Sequence, residues 1–196
     1  MNTFATVLRR TALVVTALFA LGGLMFALGY AFEDLAIGAA LVLTAAIVVP
    51  LVGLTILAVR RPDVAPVVLA TGVGLFAAYA VLDMFVDVIK APAIPVIALV
   101  LALPIAVLGQ RRAVWAGGLM LVLAAFPFLQ LLVRMFGEAA LDRPPLGALL
   151  TGSTGIVVVP LAVLGILFLI AGGLGRRAPR AGRGRLQPPA REPQPR

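Results

Sequence analysis

The chain has no cysteine and no histidine. Disulfides, iron–sulfur clusters, thiol nucleophiles and zinc sites of the Cys/His type need one or the other. A Ser–His–Asp hydrolase needs the imidazole as its base, so Ser153, in a Gly-rich stretch, has nothing to activate it. Lys90 is the single lysine and stands outside any G-x-x-x-x-G-K-[ST] context, which excludes a P-loop. Charge is scarce too. Asp, Glu, Lys and Arg make up 12% of 196 residues, where a soluble domain carries about 25%. That is too little polar surface for a water-soluble fold. The missing cysteine does not by itself decide a compartment.

What is present is apolar. Hydrophobic residues make up 62% of the chain and the mean hydropathy is +1.13. This excludes a disordered chain, which needs low hydrophobicity, and points to an all-α integral membrane protein. A helix needs about 20 apolar residues to cross a ~30 Å hydrocarbon layer. Six stretches free of Asp, Glu, Lys and Arg meet that length: 11–32, 35–59, 64–82, 91–110, 113–133 and 144–175. They predict a polytopic six-helix bundle of three hairpins, with spans near 11–32, 35–59, 64–86, 92–110, 113–133 and 156–174. The last stretch is too long for one upright helix. Its first part, with Pro144, Pro145, Gly147 and Thr151-Gly152-Ser153-Thr154-Gly155, reads as loop or re-entrant chain. The first stretch follows Arg9 and Arg10 and ends near Gly29-Tyr30-Ala31, a pattern that a cleaved signal peptide also shows. Its 22 apolar residues exceed the 7–15 of a signal core, so a retained helix is the preferred reading.

Basic residues fall on one side. Arg9, Arg10, Arg60, Arg61, Arg111, Arg112 and seven arginines of the tail make 13, against Lys90, Arg134 and Arg143 on the other side. The positive-inside rule then places both termini in the cytoplasm. Trp115 and Tyr30 stand at predicted span ends, which suits interfacial aromatic belts. Fifteen arginines against one lysine suggest a GC-rich genome and hence a bacterial inner (plasma) membrane. Residues 1–10 form a cytoplasmic N-terminus, 11–175 the membrane domain and 176–196 an Arg/Pro-rich tail. The tail holds seven Arg, five Pro and one acid, and is expected to be disordered. It fits anionic lipid headgroups at about 1 kcal/mol per basic residue. Having no aromatic residue to stack on bases, it is not expected to bind nucleic acid. A topology determinant with no partner is the simplest alternative.

Arginine pairs at 9, 60 and 111 recur every 51 residues. A threefold hairpin repeat would produce this, but so would any two spans with two turns, and the second is preferred because the prolines keep poor register. Small residues recur at four-residue steps, as in Ala70, Gly74 and Ala78, and in Gly22, Gly23 and Ala27. Such faces let helices approach closely, here most simply within the bundle and alternatively between copies. Pro50, Pro104, Pro127 and Pro160 lie within spans and are expected to kink them.

One polar cluster stands out: Asp83, Asp87 and Lys90 at the outer end of span 3, with Gln130 and Arg134 at similar depth on span 5. Two acids at i and i+4 repel each other, and the C-terminal end of a helix disfavours both. Asp83 is therefore expected to face span 5 and pair with Arg134, or to share a cation with Asp87. The alternatives are a structural carboxylate–arginine cluster and a cation or proton site open to the outside. The Asp83-x3-Asp87 spacing resembles the second half of the CDP-alcohol phosphatidyltransferase signature. The upstream half of that motif is absent, so no activity follows from it. No catalytic residue, bound metal or cofactor is expected. The function expected is a non-enzymatic membrane module, such as an accessory subunit held by another membrane protein. The alternative is a small permease or channel.

Overall fold

The computed structural model describes residues 3–34, 36–86, 93–137 and 153–176. All secondary structure among them is helical. In chain order the helices are α1 (Thr3–Asp34), α2 (Ile37–Arg60), α3 (Ala65–Val86), α4 (Ala93–Gly109), α5 (Ala113–Gly137) and α6 (Ser153–Arg176). Five of the six are long and apolar enough to cross a membrane; the apolar part of α4 is shorter, Val96–Gly109. The tail, residues 177–196, and the segment 138–152 lie outside the described residues.

Helices occupy every charge-free stretch but do not stop where the charges start. α1 begins at Thr3, so Arg9 and Arg10 sit on the helix rather than before it. Nothing between Thr3 and Arg10 breaks a helix: there is no proline or glycine, and arginine is a good helix former. Its 32 residues measure about 48 Å at 1.5 Å per residue, longer than a bilayer core. α6 starts at Ser153, so the end of the Gly-rich stretch expected to be loop is the first turn of a helix. α5 likewise runs four residues beyond its expected end. Pro50, Pro104, Pro127 and Pro160 all lie inside continuous helices.

α4 is the hub, packing against each of the other five helices. Its Ala98, Ala102, Ile105, Ala106 and Leu108 are wholly enclosed. The alanines let neighbours approach, and Ile105 and Leu108 fill the remaining volume. Around this axis the largest fully buried side chains are Leu69, Met120, Leu123, Leu161 and Phe168. α5 and α6 share the most extensive interface. There Gly117 faces Gly165: a methyl group on Gly117 would lie 2.8 Å from the Gly165 carbonyl oxygen and 2.9 Å from the Leu169 nitrogen. Lacking a side chain at both positions, the two backbones meet directly, as small-residue packing in lipid requires.

Of the Ala70, Gly74, Ala78 face only Ala70 packs against the core. Gly74 and Ala78 are exposed and nothing lies within 4 Å of a methyl group added to Gly74. α3 instead buries the stripe Leu69, Val73, Phe76, Ala80, whose bulkier side chains gain more contact against α4 and α5. Of the glycines in α1, Gly23 abuts Leu99 of α4 while Gly22 faces open space. Outward faces are apolar too. On α6, Val159, Val163, Ile166 and Ile170 recur at helical spacing and are 41–49% exposed. α2 is the most peripheral helix, exposing Leu41, Val42, Val49, Val52 and Ile56. An apolar belt of this extent is what lipid covers. Thr16, Thr44, Thr55 and Thr71 each donate to the carbonyl four residues back, at 2.7–3.0 Å, so these four hydroxyls need no partner from outside their own helices.

Candidate functional site

Two polar clusters mark opposite ends of the helices. The first lies between α3 and α5. The buried stripe of α3 runs Leu69, Val73, Phe76, Ala80 and then Asp83; that of α5 runs Ala116, Met120, Leu123, Pro127 and then Gln130. Both follow the three-and-four spacing of one helix face. Both run in the same direction along the bundle, and each ends in a polar residue. The two ends meet: Gln130 Nε2 donates to Asp83 Oδ2 at 2.9 Å, across 47 residues of chain. Asp83 is 6% exposed and Gln130 9%.

Asp83 thus faces α5, where it meets Gln130; the expected pairings with Arg134 and with Asp87 fall outside the described residues. The side chain of Arg134, and Asp87 and Lys90 altogether, lie outside the described residues. Asp83 Oδ1 and the hydroxyl of Tyr79, one turn earlier, are both buried without a hydrogen-bond partner among the described residues. A buried carboxylate oxygen and a phenol, each with unused capacity, can accept or donate a proton or take up a water. Among the described residues no three acidic side chains come together as a metal site.

The second cluster is at the arginine end and was not foreseen. Arg9 of α1 reaches across the bundle, donating from Nη1 to the Gln110 carbonyl at 3.5 Å and from Nη2 to the Ala171 carbonyl at 3.4 Å. Gln110 returns the contact, its Nε2 donating to the Arg9 carbonyl at 2.8 Å. Arg112 Nη2 pairs with Asp63 Oδ1 at 2.7 Å, tying the α4–α5 turn to the α2–α3 turn. Both partners are well exposed, 40% and 86%, so the pair contributes about 0–1 kcal/mol. A surface-open cavity of about 300 Å³ lies here, lined by Arg9, Arg111, Arg112, Ala113, Val114, Trp115 and Gly172. One signal could have exposed this cluster. Gln110 and Gln130 are the only carboxamide side chains between residues 3 and 176, and each makes a contact between helices. No family model, no curated protein and no solved structure matches the chain.

Proposed function

We propose that the protein is a six-span plasma-membrane protein of bacterial type, with both termini in the cytoplasm, acting as a non-enzymatic module that holds another membrane protein. The observation that carries the module reading is the filled axis. α4 is surrounded by all the other helices, and Leu69, Ile105, Leu108, Met120, Leu123, Leu161 and Phe168 occupy the interior with no side-chain surface to spare. A solute path would have to pass where these side chains pack. Six crossings follow if α4, enclosed by its neighbours, needs no lipid-facing length of its own. The cytoplasmic placement rests on the arginine excess at the end where Arg9, Arg111 and Arg112 gather. The absence of cysteine and histidine supports a role without covalent chemistry.

A second reading, a permease or channel with a proton or cation site, draws on the Asp83 oxygen and the Tyr79 hydroxyl, both buried without a partner among the described residues. Intramembrane acids commonly mark such sites. The purified protein reconstituted in liposomes separates the two. The module reading expects proton and monovalent-cation flux equal to that of protein-free vesicles, and a stable heteromeric complex after extraction in mild detergent. Flux that disappears in Asp83→Asn would overturn it in favour of the second reading.

A further inference from the structure

The cavity at the arginine end has features that the packing of the bundle does not require. It brings guanidinium groups from two distant parts of the chain, Arg9 on α1 and Arg111 and Arg112 before α5, to one concave surface of about 300 Å³. Arg9 Nε is buried there without a hydrogen-bond partner among the described residues. Its two outer nitrogens make only long contacts, 3.5 and 3.4 Å, to carbonyl oxygens. Arg111 is exposed and has no ion pair among the described residues. The single acid of this end that makes a pair, Asp63, serves Arg112 from outside the cavity lining.

The floor of the cavity is the first turn of α5. The first hydrogen bond of that helix runs from the Ala116 N–H to the Arg112 carbonyl at 3.1 Å. The N–H groups of Ala113, Val114 and Trp115 precede it, and all three residues line the cavity. Helix-start N–H groups carry partial positive charge and suit an anion. Gly172 of α6 also lines the cavity and packs closely on the same turn: a methyl group there would lie 2.5 Å from Val114 Cγ2, so the glycine lets α6 and the start of α5 meet at the cavity edge. Trp115, 54% exposed, stands at the rim, where an indole suits a headgroup layer.

We propose that this cavity binds a phosphate group, held by Arg9, Arg111 and Arg112 over the first turn of α5. Guanidinium forks match the oxygen geometry of phosphate. The volume accommodates a phosphate with a few attached carbons, so the source is either a phospholipid headgroup or free phosphate. The site differs from the charged tail in that it is built from the membrane helices, and it does not depend on whether the module or the permease reading is right.

The full-length protein in neutral detergent tests this through thermal unfolding and native mass spectrometry with phosphatidylglycerol, phosphatidylcholine and inorganic phosphate as probes. Phosphatidylglycerol should raise Tm above the phosphatidylcholine value and remain bound at one molecule per chain. Arg111→Gln should weaken that binding about tenfold, the equivalent of one charge-assisted hydrogen bond. Arg60→Gln removes the same charge from the same end, but Arg60 does not line the cavity, so its binding should equal wild type. Stabilisation by inorganic phosphate that Arg111→Gln abolishes and Arg60→Gln spares assigns the site to free phosphate; the same pattern with phosphatidylglycerol alone assigns it to lipid. Equal losses in the two variants would show diffuse surface charge instead of a site and overturn the proposal. So would the absence of stabilisation by phosphatidylglycerol together with no effect of phosphate.

Discussion

A single buried hydrogen bond joins α3 to α5 at their far ends, and its worth lies in what its loss leaves behind. Gln130→Leu strips Asp83 of its one contact among the described residues, leaving a buried carboxyl unsatisfied at a cost of about 1–3 kcal/mol. Asp83→Asn keeps an oxygen that can accept from Gln130, so its loss should stay below about 1 kcal/mol. Replacing both residues with leucine removes donor and acceptor together, and the double variant should be more stable than Gln130→Leu alone. Chemical unfolding in detergent micelles reads all three; a double variant less stable than Gln130→Leu would show that the carboxyl has a further partner. Asp83 was legible in the sequence as an acid at the end of an apolar run, and Gln130 as a residue of similar depth. Which residue of α5 meets Asp83 was not legible, because depth leaves rotation and register open. Only the packed stripes of both helices settle that.

Among the helices, glycine has opposite meanings at two positions that look alike in sequence. Gly117 touches the backbone of α6 and Gly74 touches nothing. Gly117→Ala must push α5 and α6 apart and should lower stability by about 1–3 kcal/mol, the usual cost of overpacking. Gly74→Ala should stay within about 0.5 kcal/mol of wild type, as an open surface position does. Thermal unfolding in detergent distinguishes them, and a neutral Gly117→Ala would mean that the α5–α6 interface is looser than its geometry. The regular Ala70-x3-Gly74-x3-Ala78 pattern was the more visible of the two in sequence, yet its Gly74 and Ala78 are exposed. The true close approach pairs residues 117 and 165, from separate helices, and no local spacing announces such a pair. Helix locations were legible because hydrocarbon excludes charge. Helix ends were not, because residues such as Arg9 continue a helix beyond the layer that excludes them. The central place of α4 was hidden for a related reason: hydropathy records that a segment is apolar, not whether lipid or protein covers it.

For the molecule as a whole, the arginine distribution predicts sidedness. Reporter fusions after Arg61, Arg112 and Arg177 should read cytoplasmic, and fusions near Glu33, Lys90 and Asp142 external. One consistent inversion would break the six-span arrangement, and the short α4 is where it would show. The tail makes a separate prediction. Deleting 178–196 while keeping Arg176 and Arg177 should leave the unfolding temperature in detergent nearly unchanged, since the described helices pack without it. A marked drop would show that the tail docks on the membrane domain. Tail deletion should also leave the difference between Arg111→Gln and Arg60→Gln intact, because the cavity is lined only by residues between Arg9 and Gly172.

The contact from Arg9 to the Ala171 carbonyl, 3.4 Å across 162 residues, makes the first and last described helices neighbours. Connectivity is then a matter of convenience rather than architecture. A circular permutant that joins the end of α6 to the start of α1 through a short polar linker, and opens the chain in the turn at residues 61–64, would present its helices in the order α3, α4, α5, α6, α1, α2. Because the cut falls after an even number of helices, every segment keeps its direction across the bilayer. Such a rearranged gene would place new termini beside Asp63, at the same end of the bundle, and so would offer a fusion point for reporters or scaffolds in place of the natural tail.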